Sequence, residues 1–579
     1  MDGLKQQFSE SENKYEFVLR RCTIVLVFLS LTAYFPLGYA PSYSGHQAID
    51  FLIAGLSLPV VFFRLRTGQF RTQAIFGILF LCLSLYSALT SGEDYIGIFG
   101  HYVIGEGWIF QVSLIGGWAL GLSFFEDEKC LSSLLKVIVV AALINVFVQI
   151  VQNVGISFNF HLPGIGIQPN AGAPGLMGDP VYLAPLLVSA LVIVLSKERL
   201  PTVFRFGTIL MLSDGIMLTG DKLAILFLIA ISVYLCLRVS KVRLFQFITM
   251  LLGAVSGYGV THLSQSNSVV ARTSSAVMSS AIPGRIQIWK LGISAAQKKL
   301  LFGYGPGGVV RAVMPLSNFL TSRTPSLIAD VHNIVLNYLV ETGIVGLLFI
   351  SLFFIIGIVK GEGTLLLISL VFLSFTIIEP TNLGITPVMF VALGASASKR
   401  KRLPGNKLSI SYKLVSLVSL FVSVMLALSI LVADDMLELS QKHLLEMKVT
   451  GSTVNLNNQY VKILNEVAPY TSTSAQYYAQ YYAFRASLGQ KSLYVNAIDE
   501  MKIAISRDPA NPVLWSTLAV YESAEGNLVL AENDYKQALK WFPNWPASIS
   551  GLCSVEHTLK QSNYGYYCKI KNLENPTST

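Results

Sequence analysis

The chain has 579 residues, of which 53% are hydrophobic and only 13% are charged, and its mean hydropathy is +0.57. This composition excludes a soluble globular protein, because the apolar residues come in blocks of roughly 17–25, long enough for helices that cross a bilayer. The formal net charge of +9 requires no nucleic-acid partner, since much of it comes from Lys and Arg in alternate loops. We predict an all-α, polytopic transmembrane helical bundle followed by a soluble helical domain.

The apolar blocks predict about thirteen spans in chain order. They are Cys22–Leu37, Ala48–Phe63, Gln73–Leu89, Trp108–Phe125, Leu134–Asn153, Val181–Leu195, Phe206–Gly220, Leu223–Leu237, Leu244–Leu263, Asn333–Val359, Thr364–Glu379, Ile385–Ala397 and Tyr412–Ala433. The first block lacks a short apolar region followed by a small-residue cleavage site, so we expect no cleaved signal peptide.

Lys and Arg are concentrated in alternate loops, which predicts the orientation. Arg64, Arg66 and Arg71 and the run "KRKR" at Lys399–Arg402 fall on one side, whereas the opposite loop Gly155–Pro180 has neither residue type. Because positively charged loops stay in the cytoplasm, we expect a cytoplasmic N-terminus and, after an odd number of spans, a periplasmic C-terminal tail.

The chain is expected to divide into four regions. Residues 1–263 form the first half of the bundle, 264–332 a long periplasmic loop, 333–433 the second half and 434–579 a periplasmic helical domain. Cys553 and Cys568 lie in this last region, where a disulfide would suit an oxidising compartment, with two free thiols as the alternative.

The tail contains a repeat. The stretch "PVLWSTLAVYESAEGNLVLAENDYKQALKWFP" has Ala531, Ala538 and Pro543 at positions that recur 34 residues earlier as Ala497, Ala504 and Pro509. With Trp515, Leu518, Gly526 and Tyr535, this pattern resembles the tetratricopeptide repeat, a helix–turn–helix unit. The tail either offers a groove to a protein partner or substrate, or it is a structural appendage.

The stretch "ADVHNIVLNYLVETG" places His332 before an apolar run that carries Asn333, Asn337 and Glu341 at four-residue spacing. This spacing keeps the three polar residues within one stripe of a helix. A polar stripe within a span should face the bundle interior or a wet cavity. His332 at its mouth suits a general base, whereas a histidine that caps a helix is the alternative.

Further polar residues fall on the same side of the membrane. Asp214 and Asp221 lie on one helix face, and Lys222 follows them. Lys222 could simply reach the lipid headgroups. It is, however, the only Lys or Arg in a short outer loop, which favours a functional role. In the long loop, Arg285 and Trp289 lie one helical turn apart.

A glycine cluster follows, "FGYGPGGVVR", with Gly303 and Gly305 at its start; it would let the backbone approach a phosphate, and a plain loop is the alternative. We find no nucleotide-binding P-loop, no His/Cys zinc spacing and no local carboxylate pair for a divalent-metal sugar-nucleotide site. A donor already activated in the bilayer, such as a lipid pyrophosphate, would match Arg and Lys.

Several motifs in order resemble the signature region of the O-antigen ligase/polymerase superfamily, which includes O-antigen ligases, surface-polysaccharide polymerases and bacterial O-oligosaccharyltransferases. The matching residues are Arg285, Trp289, Gly303, Gly305, His332, Asn333, Glu341 and Gly343. "GLMGDPVYLAPLL" is similar to a family stretch and contributes Asp179, although Val181 replaces the usual Asn. Lys222 stands where the family usually has Arg.

The resemblance implies a GT-C-like bundle in the bacterial inner membrane that transfers a glycan from undecaprenyl pyrophosphate, as in lipopolysaccharide or exopolysaccharide biosynthesis. It implies that Arg285 and Lys222 hold the diphosphate, that His332 activates the acceptor hydroxyl, and that transfer is inverting and needs neither metal nor cofactor. The acceptor could be lipid core, a growing glycan or a protein. A lipid-linked glycan flippase and a membrane scaffold for polysaccharide assembly are the alternatives.

Overall fold

The computed structural model describes residues 2–34, 41–66, 70–100, 106–124, 127–153, 174–196, 201–237, 240–265, 285–317, 328–397, 410–450, 463, 466, 471–543, 545–559 and 568. Within these ranges the regular structure is helical and no strand occurs, which confirms the predicted all-α bundle. The end of the first predicted span at Leu37, the "KRKR" run and most of Gly155–Pro180 lie outside the described residues.

Each predicted span coincides with a helix. The bundle contains α1 (Asp2–Thr32), α2 (Pro41–Arg66), α3 (Arg71–Leu89), α4 (Asp94–Phe99), α5 (Trp108–Gly121), α6 (Glu128–Asn153), α7 (Pro180–Ser196), α8 (Thr202–Thr219), α9 (Lys222–Leu237), α10 (Lys241–Gln265), α11 (residues 285–298), α12 (Val309–Val313), α13 (Ile334–Lys360), α14 (Gly363–Thr376), α15 (Ile385–Ser396) and α16 (Ile410–Thr450). In the described part of the chain, six helices are long and apolar enough to cross a membrane by length and composition, and further apolar helices are shorter. The chain is a multi-pass membrane protein.

Small residues let the helices at the centre approach closely. A Cβ on Gly121 of α5 would lie 2.2 Å from the Val391 carbonyl oxygen of α15, and a Cβ on Gly394 would lie 2.1 Å from the Trp118 carbonyl oxygen. In lipid, the hydrophobic effect does not drive helices together. Helices α5 and α15 are therefore held together by close backbone packing and by the dispersion contacts that this packing permits. Trp118 is fully buried at the crossing.

Helix α13 is broken where a loop inserts against it. Gly343 adopts φ 66° and ψ −172°, and the freed backbone groups pair with the loop: Ile344 N–H donates to Leu300 O at 2.8 Å, and Tyr304 N–H donates to Val340 O at 2.9 Å. A break at membrane depth is tolerated only when its polar groups are satisfied by protein. The loop after α11 is therefore fixed to the first half of α13.

After the bundle, the tail forms α17 (Ser472–Ser487), α18 (Leu493–Arg507), α19 (Pro512–Glu525), α20 (Leu528–Trp541) and α21 (Pro546–Thr558). The repeated alanines of the sequence pattern are all fully buried between these helices: Ala497, Ala504, Ala531 and Ala538. Gly526 turns the chain between α19 and α20 with φ 101°. Cys553 and Cys568 form a disulfide. Helix α16 runs without interruption across the predicted boundary at residues 433 and 434.

The tail packs onto the bundle through the turn after α20. Phe542 is fully buried in an apolar cluster with Val309, Val313 and Val331. The same cluster includes Ile328, which also lines the cavity described below. The tail thus contributes to the support of the cavity wall.

Candidate active site

A cavity of about 280 Å³ lies at the end of the bundle where α2, α5, α7 and α13 begin. Its walls come from segments far apart in sequence: Tyr43, Glu106, Tyr182, Ile288, Ile328, Ala329, Asp330, His332, Pro380, Thr381, Asn382 and Leu383. Aromatic rings, carboxyl groups, an amide and an imidazole therefore face one small space, as is typical of a site for a polar ligand.

His332 is held in the wall by its backbone. It is the only non-glycine residue with positive φ, 55°, among those described, a conformation in which such residues are uncommon. Its N–H donates to Asp330 Oδ1, and its carbonyl accepts from Trp289 Nε1 at 3.3 Å. The ring Nδ1 is buried and has no hydrogen-bond partner in the described structure. Burial lowers the pKa of His332, Asp330 opposes this and Arg285 adds to it, so the imidazole is neutral near pH 7.

Asp330 holds together the loop before α13 and the loop between α14 and α15. Beyond the His332 N–H, its carboxylate accepts from Asn337 Nδ2, from Thr381 N–H at 3.3 Å and from Thr381 Oγ at 2.9 Å. These donors fix the position of His332 relative to the Thr381 loop.

Glu106 brings a second carboxyl group to the same hydroxyl. It is 8% exposed, lines the cavity and hydrogen bonds with Thr381 Oγ. Burial raises its pKa well above the usual range, and the nearby Asp330 raises it further. Glu106 and Asp330 are thus brought together from remote segments, so no local spacing in the sequence reveals this pair of carboxyl groups. No group of three or more His, Cys, Asp or Glu side chains among the described residues is arranged to hold a metal ion.

Arg285, the first described residue of α11, forms an ion pair beside the cavity. Its guanidinium lies 2.6 Å from Glu379 Oε2, with exposed fractions of 27% and 6% for the two side chains. Burial raises the pKa of Glu379 to about 7, while Arg285 lowers it and Asp221 raises it. Because Pro380 and Thr381 line the cavity, the pair lies at its edge.

Lys222 and Asp179 lie outside the cavity wall of the described structure. Lys222 begins α9 and is exposed, whereas its buried neighbour Asp221 is the residue whose charge interacts with Arg285. Burial raises the pKa of Asp221, and Arg285 opposes this. Asp179 accepts from Val181 N–H at 2.8 Å and so caps the first turn of α7.

The polar stripe of α13 holds loops in place and does not line the cavity. Asn333 accepts from Leu336 N–H at 3.0 Å and is the N-cap of α13. Glu341 is buried and accepts from Gly307 N–H at 2.8 Å. The stripe therefore faces the interior, as predicted, but its partners are protein groups.

The glycine-rich turn has a structural role. A Cβ on Gly303 would lie 2.4 Å from the Glu341 backbone, and one on Gly305 would lie 3.0 Å from Ser87 O. The backbone therefore approaches helices α13 and α3 closely at these two glycines.

Four residues of the site were missed in the sequence: Glu106, Asp330, Glu379 and Thr381. Three of them carried only a weak signal, since Asp330 lies two residues before His332 and the two glutamates lie at the ends of apolar blocks. No regular spacing in the sequence connects these four residues.

Fold and cavity together define an α-helical membrane protein with a cavity lined by titratable side chains at one end of its bundle. Residues 206–351 match the family model described as O-antigen ligase, and this segment contains Lys222, Arg285 and His332. Over this segment the match supports the predicted resemblance to the O-antigen ligase/polymerase superfamily. At the level of the family it supports a membrane glycosyltransferase with a lipid-linked glycan and an acceptor as substrates. The search of curated proteins finds no match to the chain.

Proposed function

We propose that this protein transfers a glycan from undecaprenyl pyrophosphate to a hydroxyl group of lipid core, growing polysaccharide or protein, at the periplasmic face of the bacterial inner membrane. The observation that carries the proposal is the cavity in which the neutral His332 faces a polar space beside Arg285. Both residues lie within the segment that matches the family.

In the proposed reaction, the acceptor oxygen forms a bond to the anomeric carbon while the bond from that carbon to the diphosphate oxygen breaks. The acceptor proton passes to His332, and the diphosphate leaves with the electron pair. Arg285 stabilises the charge that develops on the leaving group. A single displacement of this kind inverts the anomeric carbon, and the cationic side chain takes the part that a metal would play in charge stabilisation.

Lys222 is the proposed second phosphate contact. Its exposed position at the start of α9 favours contact with the donor as it arrives from the bilayer, before Arg285 binds the diphosphate in the site.

The proposed compartment is supported by the tail. A disulfide between Cys553 and Cys568 fits an oxidising periplasm better than a reducing cytosol. The buried alanine pairs of α18 and α20 fit a tetratricopeptide-like domain, which we propose contacts an acceptor or an assembly partner.

The test is glycan transfer by the purified full-length protein in nanodiscs that contain an undecaprenyl-pyrophosphate glycan. Lipid core, the same lipid-linked glycan and a pilin-like protein are offered as separate acceptors. We expect product on one acceptor, lost in His332→Ala and in Arg285→Ala. Lys290→Ala is the matched control, because Lys290 is an exposed cation on the same helix and should retain transfer.

Full transfer by His332→Ala would contradict the assignment of the base. If no acceptor yields product and the carrier instead moves between leaflets, the flippase is the correct class.

A further inference from the structure

The hydroxyl of Thr381 contacts two carboxyl groups and can donate to only one of them. Thr381 Oγ hydrogen bonds with Glu106 and lies 2.9 Å from Asp330 Oδ2. A hydroxyl has a single proton, and an ionised carboxylate can only accept. If both contacts are hydrogen bonds, one of the two carboxyl groups must carry a proton and donate it to Thr381.

The surroundings of the two groups decide which of them is protonated. Asp330 accepts from the His332 N–H, from Asn337 and from the Thr381 N–H, and donors to both oxygens favour the ionised form. Within the described structure Glu106 has one hydrogen-bond partner, the Thr381 hydroxyl, and it is 8% exposed. A buried carboxyl with few donors and a charged neighbour is more stable when neutral. The raised pKa of Glu106 agrees with this assignment.

We infer that Glu106 is protonated in the working enzyme and is a positioning residue, which donates to Thr381 so that the Thr381 hydroxyl donates to Asp330. The chain of hydrogen bonds then runs from Glu106 through Thr381 and Asp330 to the backbone of His332. Ionisation of Glu106 would place a second negative charge beside Asp330 and break this chain. The inference deepens the proposed function and rests on it.

Other titratable groups also face Glu106. A pH effect on kcat can therefore be assigned to Glu106 only by comparison with the isosteric variant Glu106→Gln. They are Asp50 and Tyr43 from α2, Tyr182 from α7, Tyr338 and Glu341 from α13, and Asp330 and His332 from the loop before α13.

The experiment compares Glu106→Gln, Glu106→Ala and Thr381→Val in the nanodisc transfer assay. The amide of Gln can donate to Thr381 as a protonated carboxyl does, so Glu106→Gln should keep kcat within about threefold of wild type. Glu106→Ala and Thr381→Val leave buried groups unpaired and should lower kcat by roughly tenfold or more, with little change in donor KM.

The pH profile separates this role from a merely structural one. Wild-type kcat should fall at alkaline pH as Glu106 ionises, and this fall should be absent in Glu106→Gln. If Glu106→Gln is as inactive as Glu106→Ala, or if its alkaline limb is unchanged, the inference is overturned.

A second measurement does not need turnover. The infrared carbonyl band of protonated carboxyl groups at pH 7 should be larger in wild type than in Glu106→Gln. Equal bands would refute the inference even in an active enzyme. Absence of product from wild type, with the band difference present, would instead refute the proposed transfer.

Discussion

If Arg285 binds the donor diphosphate as proposed, Glu379 should determine how much of the charge on Arg285 is available to it. The two side chains lie 2.6 Å apart, and burial raises the pKa of Glu379 to about 7. Below that pH the carboxyl is neutral and leaves the guanidinium charge to the donor. Above it the carboxylate is ionised, pairs with Arg285 and repels the diphosphate. Donor binding should therefore weaken as the pH rises.

The pKa sets the size of this effect. With a value of about 7, Glu379 is neutral in roughly nine-tenths of the molecules at pH 6 and in roughly one-tenth at pH 8. If the donor binds the neutral form, its apparent KM rises about tenfold between these pH values, because the competent fraction falls by that factor. Glu379→Gln is always neutral, so its donor KM should stay low and nearly constant.

The assay is donor KM from initial rates at pH 6, 7 and 8 for wild type and Glu379→Gln. Asp534→Asn in α20 is the matched control, since burial and the nearby Glu522 also raise the pKa of Asp534 to about 7, but in the tail. This variant should show the wild-type rise. A flat wild-type profile, or the same rise in Glu379→Gln, would refute the link between Glu379 and donor binding.

Three further predictions concern the supports of the site. Gly343→Ala should lower the free energy of unfolding by at least about 2 kcal/mol, because φ 66° is strained for alanine and the new Cβ would lie 2.3 Å from Leu301 O. An unchanged melting temperature in detergent would contradict this prediction. Trp289→Phe removes the donor to the His332 carbonyl, so kcat should fall by roughly fivefold, about 1 kcal/mol, at constant protein level. Cys553→Ser opens a disulfide that spans 15 residues and should destabilise the tail by about 3 kcal/mol, measured as faster proteolysis of α21 than in wild type.

The helices of the bundle could be predicted because each span is one continuous segment whose apolar composition reflects its lipid environment. Apolar blocks such as Asn333–Val359 and Gln73–Leu89 coincide with α13 and α3 to within a few residues. His332 and Arg285 could be singled out because charged or titratable groups beside spans are few. The break at Gly343 was hidden, since the apolar pattern continues on both sides of it.

The partners of His332 could not be predicted, because they meet only in three dimensions. Glu106, Asp330 and Thr381 come from three separate segments, and the hydrogen bonds that unite them join residues 51 and 275 positions apart. Four-residue spacing did show that Asn337 and Glu341 share a helix face. It could not show whether that face meets a cavity or a loop, since both satisfy buried polar groups equally well.

The burial of Phe542 has a consequence for the order in which the molecule is built. This side chain follows the apolar helices of the described bundle in the chain, yet it completes the apolar cluster behind the cavity wall that also contains Ile328. During synthesis the helices of the bundle can therefore insert and pack while this cluster still lacks one member. The wall becomes complete only when α20 and the turn after it have been synthesised and have folded back against the bundle.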